Sequence, residues 1–130
     1  PMLQIDQDLI DALHAEGFFI AIESNGTLAV PRAIDWICIS PKAQSDTVQR
    51  SGDELKLVWP QTDSNWQAME DWDFANLLLQ PMDARGDEAA SQANLEQAIE
   101  FVQAHPKWRL SLQNHKIRRL SLYRRRPFRR

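Results

Sequence analysis

Phe74-Ala75-Asn76-Leu77-Leu78-Leu79 runs straight into Gln80-Pro81-Met82-Asp83, and a second apolar stretch, Trp108-Arg109-Leu110-Ser111-Leu112, follows about two dozen residues later. Between them Leu95, Ile99 and Val102 recur at helical spacing, which predicts a helix over 90–104 ended by Pro106. A short strand, a helix and another short strand make a parallel crossover unit. Three more apolar runs precede it: Phe18-Phe19-Ile20-Ala21-Ile22, Ile34-Asp35-Trp36-Ile37-Cys38-Ile39 and Leu55-Lys56-Leu57-Val58-Trp59. The first four runs, 18–22 to 74–79, show little alternation, so they read as strands buried on both faces; the run at 108–112 alternates more. Asp63 is read as capping a short helix that continues to about Asp71. Near the start, Leu9, Ile10 and Leu13 predict a helix over 6–16, with Asp6 as N-cap, Ile5 and Ile10 as a staple, and Gly17 at the left-handed C′ position. The order helix, strand, strand, strand, helix, strand, helix, strand predicts an α/β fold with a mostly parallel sheet.

Polar groups follow each predicted strand: Glu23-Ser24-Asn25-Gly26, Ser40-Pro41-Lys42, Pro60-Gln61, Gln80-Pro81-Met82-Asp83, and Gln113-Asn114-His115-Lys116. In a parallel sheet all five emerge at one edge, where such folds build ligand sites. Each group has an ordinary alternative. Asn25-Gly26 makes a turn unaided, Ser40-Pro41 is a common strand exit, and Pro81 can simply end a strand. Glu54 and Lys56 read as a surface pair. Trp36, Trp59 and Trp108 read as packing residues, and Trp66 and Trp72 as partly exposed.

Composition excludes several chemistries. The 130 residues hold one cysteine, Cys38, so no internal disulfide forms and no cysteine-based zinc or iron–sulfur site can be assembled from this sequence. Cys38 lies between Ile37 and Ile39 and reads as a small buried core residue. His14, His105 and His115 share no metal-ligand spacing. The four glycines do not cluster into a phosphate-cradling loop, and no Gly-x-Ser-x-Gly elbow occurs. No apolar run approaches the roughly 18 residues that span a bilayer, and no secretory leader opens the chain, so a cytoplasmic location is expected. Arg118, Arg119, Arg124, Arg125, Arg126, Arg129 and Arg130 crowd the last fourteen residues, which carry no acid, beside an acidic body.

The polar groups in their order resemble one family. Ile22-Glu23-Ser24-Asn25-Gly26-Thr27, Asp35 to Lys42, Asp53-Glu54-Leu55-Lys56, Gln80-Pro81-Met82-Asp83 and Trp108 to Lys116 are together similar to 7-carboxy-7-deazaguanine synthase, a radical S-adenosylmethionine enzyme of queuosine and 7-deazapurine biosynthesis. The resemblance covers residues 1 to about 116. It implies that these residues are the C-terminal portion of a partial, open parallel β/α barrel of radical S-adenosylmethionine type. It implies a carbon–nitrogen lyase in the tRNA-modification pathway that turns 6-carboxy-5,6,7,8-tetrahydropterin into 7-carboxy-7-deazaguanine with loss of ammonia. The implied cofactors are S-adenosylmethionine, a 4Fe–4S cluster and Mg2+, in a homodimer. On this resemblance Ser40, Pro41, Lys42, Gln80, Pro81, Met82 and Asp83 contact S-adenosylmethionine, Glu23 and Asn25 join the same site, and His115 faces the substrate; it assigns no catalytic residue and no metal ligand in this chain.

The departures are as informative. The family's three-cysteine motif is absent, and Pro1 resembles the last residue of its Gly-Gly-Glu-Pro motif. Ser24 and Asn114 stand where threonine is usual. The chain is therefore expected to lack the cluster-binding half and to be inactive unless an N-terminal half complements it. Residues 117–130 resemble nothing in the family and read as a disordered arginine-rich tail. The alternative function is a non-catalytic module whose tail binds RNA or another polyanion; no nucleic-acid partner is expected for the body.

Overall fold

Local sequence signals set the elements of the computed structural model, which describes residues 5–112. Asp6 accepts the amide of Leu9 at 2.9 Å and starts α1 (Gln7–Ala15), and Gly17 takes φ +77° just past its end. Four strands follow: β1 (Ala21–Ser24), β2 (Trp36–Ile39), β3 (Ser51–Trp59) and β4 (Asp73–Pro81), with the single-turn helix α2 (Trp66–Met69) between the last two. The longest helix, α3 (Glu88–Ala104), is capped by Asp87 and leads to β5 (Trp108–Leu110). The sheet has five strands in the order β1-β2-β3-β4-β5, and every neighbouring pair is parallel. The predicted order of elements and the parallel α/β sheet are both observed.

One face of the sheet carries the core. Ile22, Ile39, Leu55, Leu57, Leu77, Leu79 and Trp108 are buried there together with Ile10 of α1, Met69 of α2, and Ala98 and Phe101 of α3. The other face alternates with it along each strand and presents Glu23, Cys38, Glu54, Lys56, Val58, Asn76 and Gln80. The strands are thus buried mainly on one face, not on both as predicted. A lysine and two glutamates in the alternate register cannot be sealed into an apolar layer without a large desolvation cost.

Several boundaries differ from the sequence reading. Pairing of the first strand begins at Ala21, because the Asp35 carboxylate takes the Ile20 amide while the Ile20 carbonyl accepts from Asp35 and Trp36. Phe18 and Phe19 therefore stay outside the ladder, and both are exposed. β3 starts four residues earlier than expected, at Ser51, and β4 includes Gln80 and Pro81, which were read as following it. Asp63 does not cap α2: its φ is +57°, and Asn65 occupies the N-cap without a side-chain bond. On α3 the fully packed positions are Ala98 and Phe101, while Ile99 lies on the exposed side. The fifth strand is shorter than 108–112, although Ser111 still donates to the Leu79 carbonyl. His115 and the arginine-rich segment lie outside the described residues.

Trp59, Trp66, Phe101, His105 and Trp108 form one aromatic cluster against α3, with the Trp59 and Phe101 rings 4.6 Å apart and Phe101 and Trp108 edge to face at 6.0 Å. The indole N–H of Trp108 is satisfied by Glu70 Oε1 at 2.9 Å. Among the described residues no helix is long and apolar enough to cross a membrane.

Candidate functional site

β1 and β2 each hand over to the next strand through a crossover that contains no helix, over 25–35 and 40–50. The two crossovers are held together at Gly26. Its carbonyl accepts the amides of Val48 at 2.8 Å and Gln49 at 3.0 Å, and its φ of +77° is a left-handed conformation. A Cβ there would fall 2.7 Å from Ile39 Cγ2 and 2.9 Å from Thr47 Cγ2, so the close approach requires glycine. Before it, the Ser24 hydroxyl accepts the Gly26 amide, and Asn25 Oδ1 accepts from both the amide and the hydroxyl of Thr27. Both side chains fix the turn, as the ordinary reading of Asn25-Gly26 expects.

This packing leaves a cleft of about 630 Å³ at the carboxyl edge of β1, β2 and β3. Glu23, Asn25, Ser40, Pro41 and Lys42 line it, joined by Ser24, Thr27, Leu28, Val58 and Gln61. Its floor is rigid: Pro41 is fully buried, and the Ser40 amide donates to the Ser24 carbonyl at 2.8 Å. Lys42 and Glu23 are exposed, so the cleft offers one cationic and one anionic group beside a hydroxyl and an apolar wall. Gln61 also lines the cleft, and its Oε1 is buried without a hydrogen-bond partner.

The fourth group stands apart. Gln80 is buried, and it pairs with Val58, which itself lines the cleft, so it continues the same sheet face one strand further on. Pro81 alternates to the opposite face, and Met82 is exposed, its amide donating to Trp59 O and its carbonyl accepting from Asn94. Asp83 accepts from the Ser91 hydroxyl and borders a separate depression of about 460 Å³ at the start of α3. Five of the nine residues assigned to the cofactor on the sequence therefore share one cleft, and the four at and just beyond the end of β4 do not line it.

Two residues that the candidate set omitted stand out. Gln61 belongs to a strand-end group but carries no motif signal of its own. Lys56 Nζ lies 2.7 Å from Glu23 Oε1, so Lys56 is paired across β2 with a cleft residue, not with Glu54 on its own strand. The available signal was its place as the one charge in an otherwise apolar strand.

Cys38 lies between Glu23 and Glu54 in the ladder and is 6% exposed. Burial pushes its thiol up to about 12; nearby Lys56 opposes this, while Glu23, Glu54 and the hydrogen bond to Glu54 add to it. A thiol held protonated in this way is a poor nucleophile and a poor metal ligand. Among the described residues no group of three or more histidine, cysteine, aspartate or glutamate side chains could hold a metal ion.

Comparison with known proteins gives a consistent picture. No protein-family model matches the chain. Curated relatives named 7-carboxy-7-deazaguanine synthase match it at 49% identity in Bordetella pertussis and 52% in Bradyrhizobium diazoefficiens, each over 116 residues covering 89% of this chain and 53% of the relative. A synthase of that name from Bacteroides thetaiotaomicron is 38% identical over 117 residues, 90% of this chain and 59% of the relative. The chain thus spans about half the length of the curated relatives it matches, as a C-terminal portion does.

Proposed function

We propose that this chain, similar over most of its length to part of 7-carboxy-7-deazaguanine synthases, forms the S-adenosylmethionine-binding part of such an enzyme. The observation that carries the reading is the convergence of Glu23, Asn25, Ser40, Pro41 and Lys42 on one cleft at the carboxyl edge of a parallel sheet. A cleft of about 630 Å³ suits a small molecule. The groups match the cofactor's chemistry. The Glu23 carboxylate and the Ser40 hydroxyl accept from ribose hydroxyls, Lys42 attracts the methionyl carboxylate, and Leu28 offers apolar surface to adenine. Gln80, Met82 and Asp83 extend the contact along β4, with Met82 packing on the base. The sheet would then be the C-terminal part of an open radical S-adenosylmethionine barrel.

S-adenosylmethionine supplies the radical precursor for a carbon–nitrogen lyase that converts 6-carboxy-5,6,7,8-tetrahydropterin to 7-carboxy-7-deazaguanine and ammonia. The residues here do not fit the 4Fe–4S cluster that such an enzyme uses: one cysteine, buried and held protonated, cannot supply its thiolates. No described group fits Mg2+ either. This chain's share of the reaction is to bind and orient the cofactor, with residues 1–116 as the domain, 117–130 as a separate tail and His115 reading the pterin. The cluster and Mg2+ ligands would come from a complementing N-terminal half, in a cytoplasmic homodimer.

The test is anaerobic reconstitution. The chain mixed with the cysteine-bearing half of a relative, iron, sulfide, a reductant, S-adenosylmethionine, Mg2+ and the pterin should form 7-carboxy-7-deazaguanine, and neither part should do so alone. No product from a mixture that holds a cluster and forms a complex would overturn the reading.

A further inference from the structure

The geometry points to Lys56 as a positioning residue that holds the Glu23 carboxylate in the cleft. Glu23 is at an edge strand with its side chain 57% exposed, where a free glutamate samples many rotamers. Lys56 is only 17% exposed and reaches from β3 across β2 to place Nζ 2.7 Å from Oε1. The reach is diagonal: on β2 the small Cys38 is paired in the ladder with Glu23 on one side and Glu54 on the other, and Lys56 stands two residues beyond Glu54 on the same face. Lys56 is set against Glu23 rather than against Glu54 of its own strand. The pair uses Oε1 for Lys56, which leaves Oε2 to accept from a ligand in the cleft that Glu23 lines. A half-buried lysine on a rigid central strand restricts the carboxylate before a ligand arrives, which lowers the ordering cost of binding. This inference rests on the reading of the cleft as an S-adenosylmethionine site with Glu23 as a contact.

Titration calorimetry of the full chain with S-adenosylmethionine, paired with thermal melts, tests it through a double-mutant cycle. Lys56→Met and Glu23→Gln should each weaken binding by about tenfold, and the double variant should lose no more than either alone. Lys56→Arg should recover most of the affinity. If Lys56→Met melts early, Lys56→Gln takes its place in the cycle. Binding unchanged in a folded Lys56 variant, or losses that simply multiply in the double variant, would overturn the positioning role while leaving the cofactor reading intact. Absence of binding by the unaltered chain would overturn both.

Discussion

Gly26 joins backbone conformation and packing at one residue. Alanine there would adopt a left-handed φ and press on Ile39 and Thr47 at under 3 Å. Gly26→Ala should therefore lower stability by about 2–4 kcal/mol, measured by urea unfolding, and should disturb the cleft because both crossovers hang on that carbonyl. Cys38 makes a second prediction at this scale. Burial pushes its thiol from the ordinary 9.0 of the unfolded chain up to about 12 in the folded one. Between those values the unfolded state has lost a proton that the folded state keeps, so stability falls as pH rises through that window. Cys38→Ala should flatten the fall, and thiol reagents should modify the native protein far more slowly than the unfolded one. The sequence made Cys38 legible as a core residue from its neighbours Ile37 and Ile39. It hid the Lys56–Glu23 pair, because two residues on different strands meet only once register is set.

At the level of elements, α1 is tied to the sheet by one carboxylate. Asp35 accepts the Ile20 amide at 2.7 Å and contacts His14 Nε2 at 2.8 Å. The Ile20 amide first, and His14 second, hold its carboxyl below the ordinary 3.8. The stabilisation is complete above that value and is lost as pH falls below it. Asp35→Asn should weaken the protein at neutral pH and reduce its further loss in acid, read from urea midpoints at pH 7 and below pH 3.8. The same carboxylate explains why the first strand was misplaced: hydropathy saw Phe18-Phe19-Ile20, but the cap on Ile20 delays pairing to Ala21. α3 was legible from its period and from Pro106, although the period alone favoured Ile99 over the packed Ala98 and Phe101. Phe101→Ala should cost about 3–5 kcal/mol, since its ring anchors Trp59, Trp66 and Trp108 against the sheet.

For the whole molecule, the parallel order β1 to β5 brings strand-end groups to one edge, and that much followed from short apolar runs separated by crossovers. The division of those groups did not. It depends on the length of β4, which draws Gln80 and Pro81 into the sheet and carries Asp83 toward the start of α3. The two sheet faces also differ in a way that a run of apolar residues conceals, with helices over one and charged side chains on the other. If the cleft above β1, β2 and β3 is the cofactor site, an amide NMR titration of the chain with S-adenosylmethionine will report it residue by residue. Saturable shifts should concentrate at residues 23–28, 40–42 and 58–61 and extend to 80–83; shifts confined to 84–95 around the second depression, or none at all, would overturn the cofactor reading.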